Sequence, residues 1–188
     1  MTRLALLSDI HGNLPALEAV IHDMKQFAPD HVVVAGDAIN GSPFSADVLQ
    51  VITENRWTLI RGNNEFYCIN AAPPRRPISW AAYDLIPRLM EEVADWQYVI
   101  AGLPDDLLLL YPDAPDVHLC HGIPGDCWTG IYPDAFNTDE HVNKHLTKKQ
   151  ANTIFCGHTH FPLNRRVGNV HIINPGTVGV PLLGEQLS

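Results

Sequence analysis

Five short stretches of the chain concentrate residues that hold metal ions or move phosphate. Asp9-Ile-His11 is the first, Gly36-Asp37 the second and Gly62-Asn63-Asn64-Glu65 the third, followed by His121-Gly122 and by Gly157-His158-Thr-His160. Carboxylate, imidazole and amide oxygen are hard-to-borderline donors, suited to Mn²⁺, Fe, Zn²⁺, Co²⁺ or Ni²⁺ rather than to a soft thiolate-bound ion. Asp9, His11, Asp37, Asn63, His121, His158 and His160 are more donors than one tetrahedral ion takes. Two ions about 3.5 to 4 Å apart that share a carboxylate would use them all, and such a pair activates a hydroxide and clamps the oxygens of a phosphoryl group. Each fragment alone is weak: Asp-x-His is commonplace, Gly-Asp usually marks a turn, and His-x-His usually lies in a solvated loop. Their joint placement carries the argument, because each follows a short apolar run.

Those runs define the elements that must position the donors. Leu4 to Leu7, His31 to Ala35 and Trp57 to Ile60 read as strands. Helices are expected behind Asn13, through Leu14, Leu17, Val20, Ile21, Met24 and Phe27, and again from about Phe44 to Thr53. This β-α-β-α-β order predicts a parallel, right-handed sheet covered on both faces. A helix around Trp80 to Trp96, kinked at Pro87, is expected next. Short strands follow at Leu107 to Tyr111, Val117 to Cys120, Thr153 to Cys156, Leu163 to Val167 and Val170 to Ile173, with a helix between Asp139 and Gln150. In an open α/β sheet ligands collect at the carboxyl ends of strands, so the five stretches are expected on one rim. LIRGNNEFY, residues 59–67, reads as a strand entering a turn at Gly-Asn-Asn.

Composition bounds the function. The 188 residues suit one domain with a sizeable core, and 46% apolar against 18% charged residues is ordinary for a globular protein. The net charge of −9, from 21 acids and 12 bases, argues against general nucleic-acid binding, which needs clustered cations. Membrane insertion is not expected, since no apolar run reaches the roughly 20 residues a spanning helix needs. The opening MTRLALLSDIHG suits a buried strand better than a signal peptide, so a cytoplasmic location is expected. Cys68, Cys120, Cys127 and Cys156 have no zinc-ribbon spacing and read as reduced core thiols. His22, His31, His118, His141, His145 and His171 have no spacing that joins them to the site.

With these motifs in order, DIH, GDAI, GNNE, HG and GHTH, the chain resembles the calcineurin-like metallophosphoesterases, and the similarity continues into Asn174-Pro-Gly-Thr-Val-Gly179. The resemblance is to the small bacterial, phosphodiesterase-type members. It implies a four-layer α-β-β-α sandwich of two mixed sheets, with residues 1–188 as one domain. It implies a cofactor of two divalent ions, manganese favoured, one held by Asp9, His11, Asp37 and His160 and the other by Asp37, Asn63, His121 and His158, with Asp37 bridging. The implied activity is phosphoester hydrolysis by a metal-bridging hydroxide, most suited to a small phosphodiester or nucleotide-like substrate.

Two departures qualify the resemblance. Family members often carry, after the ligand Asn, a His that contacts phosphate and protonates the leaving group. Here Asn64 stands there, able to position a phosphoryl oxygen but not to deliver a proton. General acid catalysis contributes roughly 10² to 10⁴ in rate, so activated diesters should suffer least. The retromer scaffold subunit, of the same fold, is also altered at this position, and a metal-binding interaction platform is therefore the alternative reading. The full donor set favours the enzyme. The second departure is the short sequence after the NPG segment, which predicts either a smaller second sheet or one with an uncovered edge; such an edge can pair with another chain, so a homo-oligomer is expected. Arg75 and Arg76, in the Pro-rich loop from Ala71 to Pro77, are further candidates for a substrate phosphate.

Overall fold

The computed structural model describes residues 2–69, 84–133 and 137–181. Strand β1 (Leu4–Leu7), β2 (His31–Val34) and β3 (Thr58–Leu59) form one sheet in the order β1-β2-β3, all parallel, with Leu4 opposite His31 and Val34 opposite Leu59. Helices α1 (Leu14–Met24) and α2 (Ser45–Glu54) connect them. After β3 come α3 (Asn63–Ile69), α4 (Leu85–Glu92), a 3₁₀ turn at Ala94–Trp96 and α5 (Gln97–Gly102). The second sheet has the order β4-β5-β6-β8-β7, from β4 (Asp106–Leu109), β5 (Val117–Cys120), β6 (Thr153–Phe155), β7 (Pro162–Val167) and β8 (Val170–Pro175). Helix α6 (Asp139–His145) precedes β6.

Side-chain alternation builds the layers, because neighbouring strand residues point to opposite faces. In β2, Val32 and Val34 pack with Leu17 of α1 and Val48, Leu49 and Ile52 of α2. Val33 and Ala35 point the other way, to meet Leu119, Leu107, Leu109 and Phe155 of the second sheet. Beyond that, Cys120, Ile154, Cys156 and Ile172 pack with Val142 and Leu146 at α6. The order is helices, parallel sheet, mixed sheet, helix: the expected α-β-β-α sandwich, its mixed character lying in the second sheet.

Two local expectations are corrected. Residues 62–64 are not a turn: Gly62 caps α3, its carbonyl accepting from the Phe66 N–H at 3.2 Å while Glu65 reaches back to the Gly62 N–H at 2.7 Å. The second bond is the acid half of a capping box, the glycine having no side chain to return it, and the apolar run Phe-Tyr-Cys-Ile follows. Pro87 does not kink its helix, because it lies in the first turn of α4, where a missing N–H costs nothing. The break comes instead at Val93, which leaves α4 and α5 as separate pieces. The helix expected between Asp139 and Gln150 is present as α6, which ends at His145. Residues 70–83, including Arg75 and Arg76, and residues 182–188 lie outside the described residues.

Candidate metal centre

The loops after β1 and β2 are sewn together by backbone bonds: Asp9 N–H to Gly36 O at 3.1 Å, His11 N–H to Asp37 O at 3.0 Å and Gly12 N–H to Ala38 O at 2.8 Å. The last described segment joins them, with Val178 N–H on Ser8 O at 3.1 Å and Gly179 N–H on Asp9 O at 3.0 Å. From the second sheet, Gly157 N–H bonds His121 O at 2.8 Å. These ties put the carboxyl ends of β1, β2, β3, β5 and β6 on one rim, and all seven sequence-derived donors gather there.

The backbone is bent to aim them. Asp9, His11, Asp37, His158 and His160 have φ of 55°, 52°, 53°, 66° and 62°, the left-handed region that non-glycine residues seldom occupy. Such strain persists where surrounding structure over-determines it and clusters at functional sites. Glycine is required next to two of these residues by close approach. A Cβ on Gly62 would overlap the carboxylate and amide of Asp37, and one on Gly157 would overlap the Ser8 hydroxyl and crowd Asp9.

Hydrogen-bond geometry then decides which donor atoms face inward. His11 and His160 direct Nδ1 at the carbonyls of Asn40 (2.8 Å) and Val180 (3.1 Å), so their Nδ1 protons are committed and both Nε2 atoms present lone pairs 3.1 Å apart. Asp9 Oδ1 lies 3.3 Å from His160 Nε2 and 3.8 Å from His11 Nε2, and among the described residues this buried oxygen has no hydrogen-bond partner. Its other oxygen, Oδ2, is fixed by the Ser8 hydroxyl at 2.6 Å and the His158 N–H at 3.0 Å. Nearby, His121 commits Nδ1 to Ala35 O at 2.6 Å, and His158 commits Nε2 to Trp128 O at 3.1 Å. The free nitrogens of both meet Asn63 Oδ1, at 3.1 and 2.8 Å. Asp37 lies between the groups, Oδ1 3.4 Å from His121 and Oδ2 3.9 Å from His11.

Two carboxylates, an amide oxygen and four imidazoles converge here, a donor set that fits divalent metal. Asp9, His11 and His160 form one cluster with ligand atoms within 4.8 Å of one another, and Asp9, Asp37 and His121 form another. Ionisation in the metal-free protein shows the same tension. Burial works to raise the Asp37 carboxyl, but His121 and His11 hold it below the usual carboxylate range. Burial works to lower His121, yet Asp37 and Asp9 push it up to about 10. Burial and the neighbouring His121 lower His158.

Asn64 is turned inward. It is buried, its side-chain N–H bonds Asp37 Oδ2, its backbone N–H bonds Asp37 Oδ1 at 2.9 Å, and its own oxygen accepts from Asn40 Nδ2 at 2.6 Å. It also lines a cavity of about 590 Å³ with His11, Asp37, Asn63, His158 and His160.

Sequence reasoning missed two residues that organise the site. Glu65 is fully buried, and its carboxylate accepts from the backbone N–H of Asp37 (3.0 Å), Ala38 (2.8 Å), Ile39 (3.3 Å) and Gly62 (2.7 Å). Burial and the charge of Asp37 push its carboxyl up to about 7 against those four amides. The signal was available, since a Glu three residues after a cap reads as a capping box. Asn40 orients His11 through its carbonyl and Asn64 through its amide, and a single asparagine at the end of GDAIN gave no pattern to find it by.

Residues 2–188 match the model of the calcineurin-like phosphoesterase superfamily domain. The chain belongs to that superfamily. Membership places it among metal-dependent phosphoester hydrolases, as the motifs implied. Phosphodiesterase YfcE of Escherichia coli strain K12 is 26% identical over 199 aligned positions, spanning 100% of this chain and 85% of that protein. Among solved structures, a metallophosphoesterase from Sphaerobacter thermophilus has the same fold with a TM-score of 0.76 at 24% identity, covering 98% of this chain and 80% of that one. The solved structure of E. coli YfcE, titled a phosphoesterase, superposes with a TM-score of 0.58 at 22% identity over 98% of this chain and 84% of that one. Among the described residues, no helix is long and apolar enough to cross a membrane.

Proposed function

We propose that this chain is a two-metal phosphodiesterase, with residues 1–188 as one domain. One ion would be held by Asp9, His11, Asp37 and His160 and the other by Asp37, Asn63, His121 and His158. The observation that carries the reading is the orphaned Asp9 Oδ1, beside two imidazole lone pairs whose protons are committed elsewhere. Asp37 suits the bridging place because its two oxygens face different histidines. When bound, such an ion pair supplies Lewis acidity toward the phosphoryl oxygens and lowers the pKa of coordinated water.

The protein's own part is positioning. Ala35, Asn40, Trp128 and Val180 carbonyls fix the imidazole tautomers, as ligand histidines require. Asn64 steadies Asp37 and lines the wall that a phosphate meets, but it carries no proton for a leaving group. Substrates whose leaving groups need no protonation fit this best, so activated and small phosphodiesters are preferred over monoesters. The phosphodiesterase assigned in the name of the E. coli relative supports the same class. Manganese is the first choice among the borderline ions.

The intact donor set favours an enzyme over a scaffold. Hydrolysis of bis-p-nitrophenyl phosphate with added Mn²⁺ is the test: turnover that disappears with chelator is expected, and no turnover with any divalent ion bound overturns it. We extend the reading to a cytoplasmic protein that self-associates through an edge of the second sheet, where β4 and β7 are the outer strands among the described residues. A monomer by light scattering contradicts the self-association.

A further inference from the structure

One helix face forms a wall of the metal-site cavity. Leu85, Arg88, Leu89 and Glu92 of α4 recur at i, i+3, i+4 and i+7, and all four line the cavity together with Tyr67 and Pro43. About 590 Å³ is the size of pockets that hold whole organic ligands, far beyond a phosphoryl group. Among the described residues the wall combines apolar surface from Leu85, Leu89 and Tyr67 with the guanidinium of Arg88. Arg88 is exposed, and among the described residues its side chain has no hydrogen-bond or ion-pair partner. The acid one turn further on, Glu92, is occupied by the Ser45 backbone N–H. In a chain of net charge −9, an Arg facing the same cavity as the metal donors is placed to receive an anion.

Resting on the phosphodiesterase reading, we propose that Arg88 binds a second phosphate of the substrate, one that is not hydrolysed. The substrate class is then a phosphodiester on a nucleoside-sized body that bears a further phosphate. The apolar stretch of the wall takes the body, ions held by the metal donors would take the scissile group, and Arg88 makes the bidentate contact at the second anion.

A matched pair of substrates tests this: the 5′-(p-nitrophenyl phosphate) of thymidine, and the same compound carrying a 3′-phosphate. They share the scissile bond and differ only in the second anion. The expected result is a KM about tenfold lower for the 3′-phosphorylated compound, as a charge-assisted contact supplies. Arg88→Gln should erase that difference, and Arg88→Lys should retain part of it. Equal KM values in the native enzyme, or an equal loss on both substrates in Arg88→Gln, overturn the proposal. Calorimetry of thymidine 3′,5′-bisphosphate and thymidine 5′-monophosphate with Mn²⁺-loaded protein gives a readout independent of turnover, in which Arg88→Gln should weaken the bisphosphate alone. Failure to hydrolyse bis-p-nitrophenyl phosphate counts against the enzyme itself, whereas hydrolysis of both thymidine esters without preference counts only against Arg88.

Discussion

Replacing Glu65 by Ala should unfold the loop that presents Asp37 before it touches the rest of the fold. The carboxylate accepts four backbone N–H groups from two segments: Gly62 ahead of α3, and the consecutive Asp37, Ala38 and Ile39 after β2. A hydrogen bond to a charged group contributes roughly 1.5–3 kcal/mol, and an orphaned buried donor costs about 1–3 kcal/mol. The four are not additive, and the burial that pushes this carboxyl up to about 7 offsets part of the gain. A net loss of about 3–5 kcal/mol is expected, a large share of the roughly 5–15 kcal/mol that holds a domain folded. Glu65→Gln keeps the volume but points a second set of donors at two of the amides, and should lose about 2–4 kcal/mol by the same reasoning. Urea unfolding of metal-free protein reads both losses without interference from bound ions. If both variants lie within 1 kcal/mol of the native chain, Glu65 does not hold the loop.

Three further outcomes follow from the site. Gly157→Ala should abolish metal binding, since its Cβ overlaps the Ser8 hydroxyl and crowds Asp9, and elemental analysis of the purified variant checks this. Asn64→His should raise activity on phenyl phosphate, whose phenolate leaves poorly without a proton, more than on bis-p-nitrophenyl phosphate, by up to the roughly 10² to 10⁴ that general acid catalysis supplies; equal changes on both contradict the role assigned to position 64. With Asp37 and Asp9 raising His121 to about 10, that imidazole carries a proton at neutral pH in the metal-free protein and must release it to become a ligand. Metal affinity should therefore rise with pH up to that value, and calorimetry in buffers of different ionisation enthalpy should show proton release.

The layers and the donors were legible because both depend on local pattern. The unbroken apolar run from Val32 to Ala35 announces a strand buried on two faces, and Val33 and Val34 do face different layers. The donors were legible because each sits where an apolar run ends, and a run that ends at a sheet rim can end in little but polar residues. What stayed hidden depends on contacts between distant segments. Nothing local to Glu65 says that it will meet Asp37, Ala38 and Ile39, which lie 26 to 28 positions away. Arg88 was hidden for the same reason, since its face of α4 acquires meaning only through the cavity it closes. The turn expected at Gly62 failed because Gly-Asn-Asn was read without the Glu that follows, and that Glu converts a turn signal into a helix start.

The bridging of two ions by Asp37 is tested most directly by electron paramagnetic resonance during Mn²⁺ titration of chelator-stripped protein. Two ions per chain and an exchange-coupled spectrum are expected, since a shared carboxylate holds metals about 3.5–4 Å apart. A single bound ion, or two that give only the six-line signal of isolated Mn²⁺, would contradict the two-metal centre.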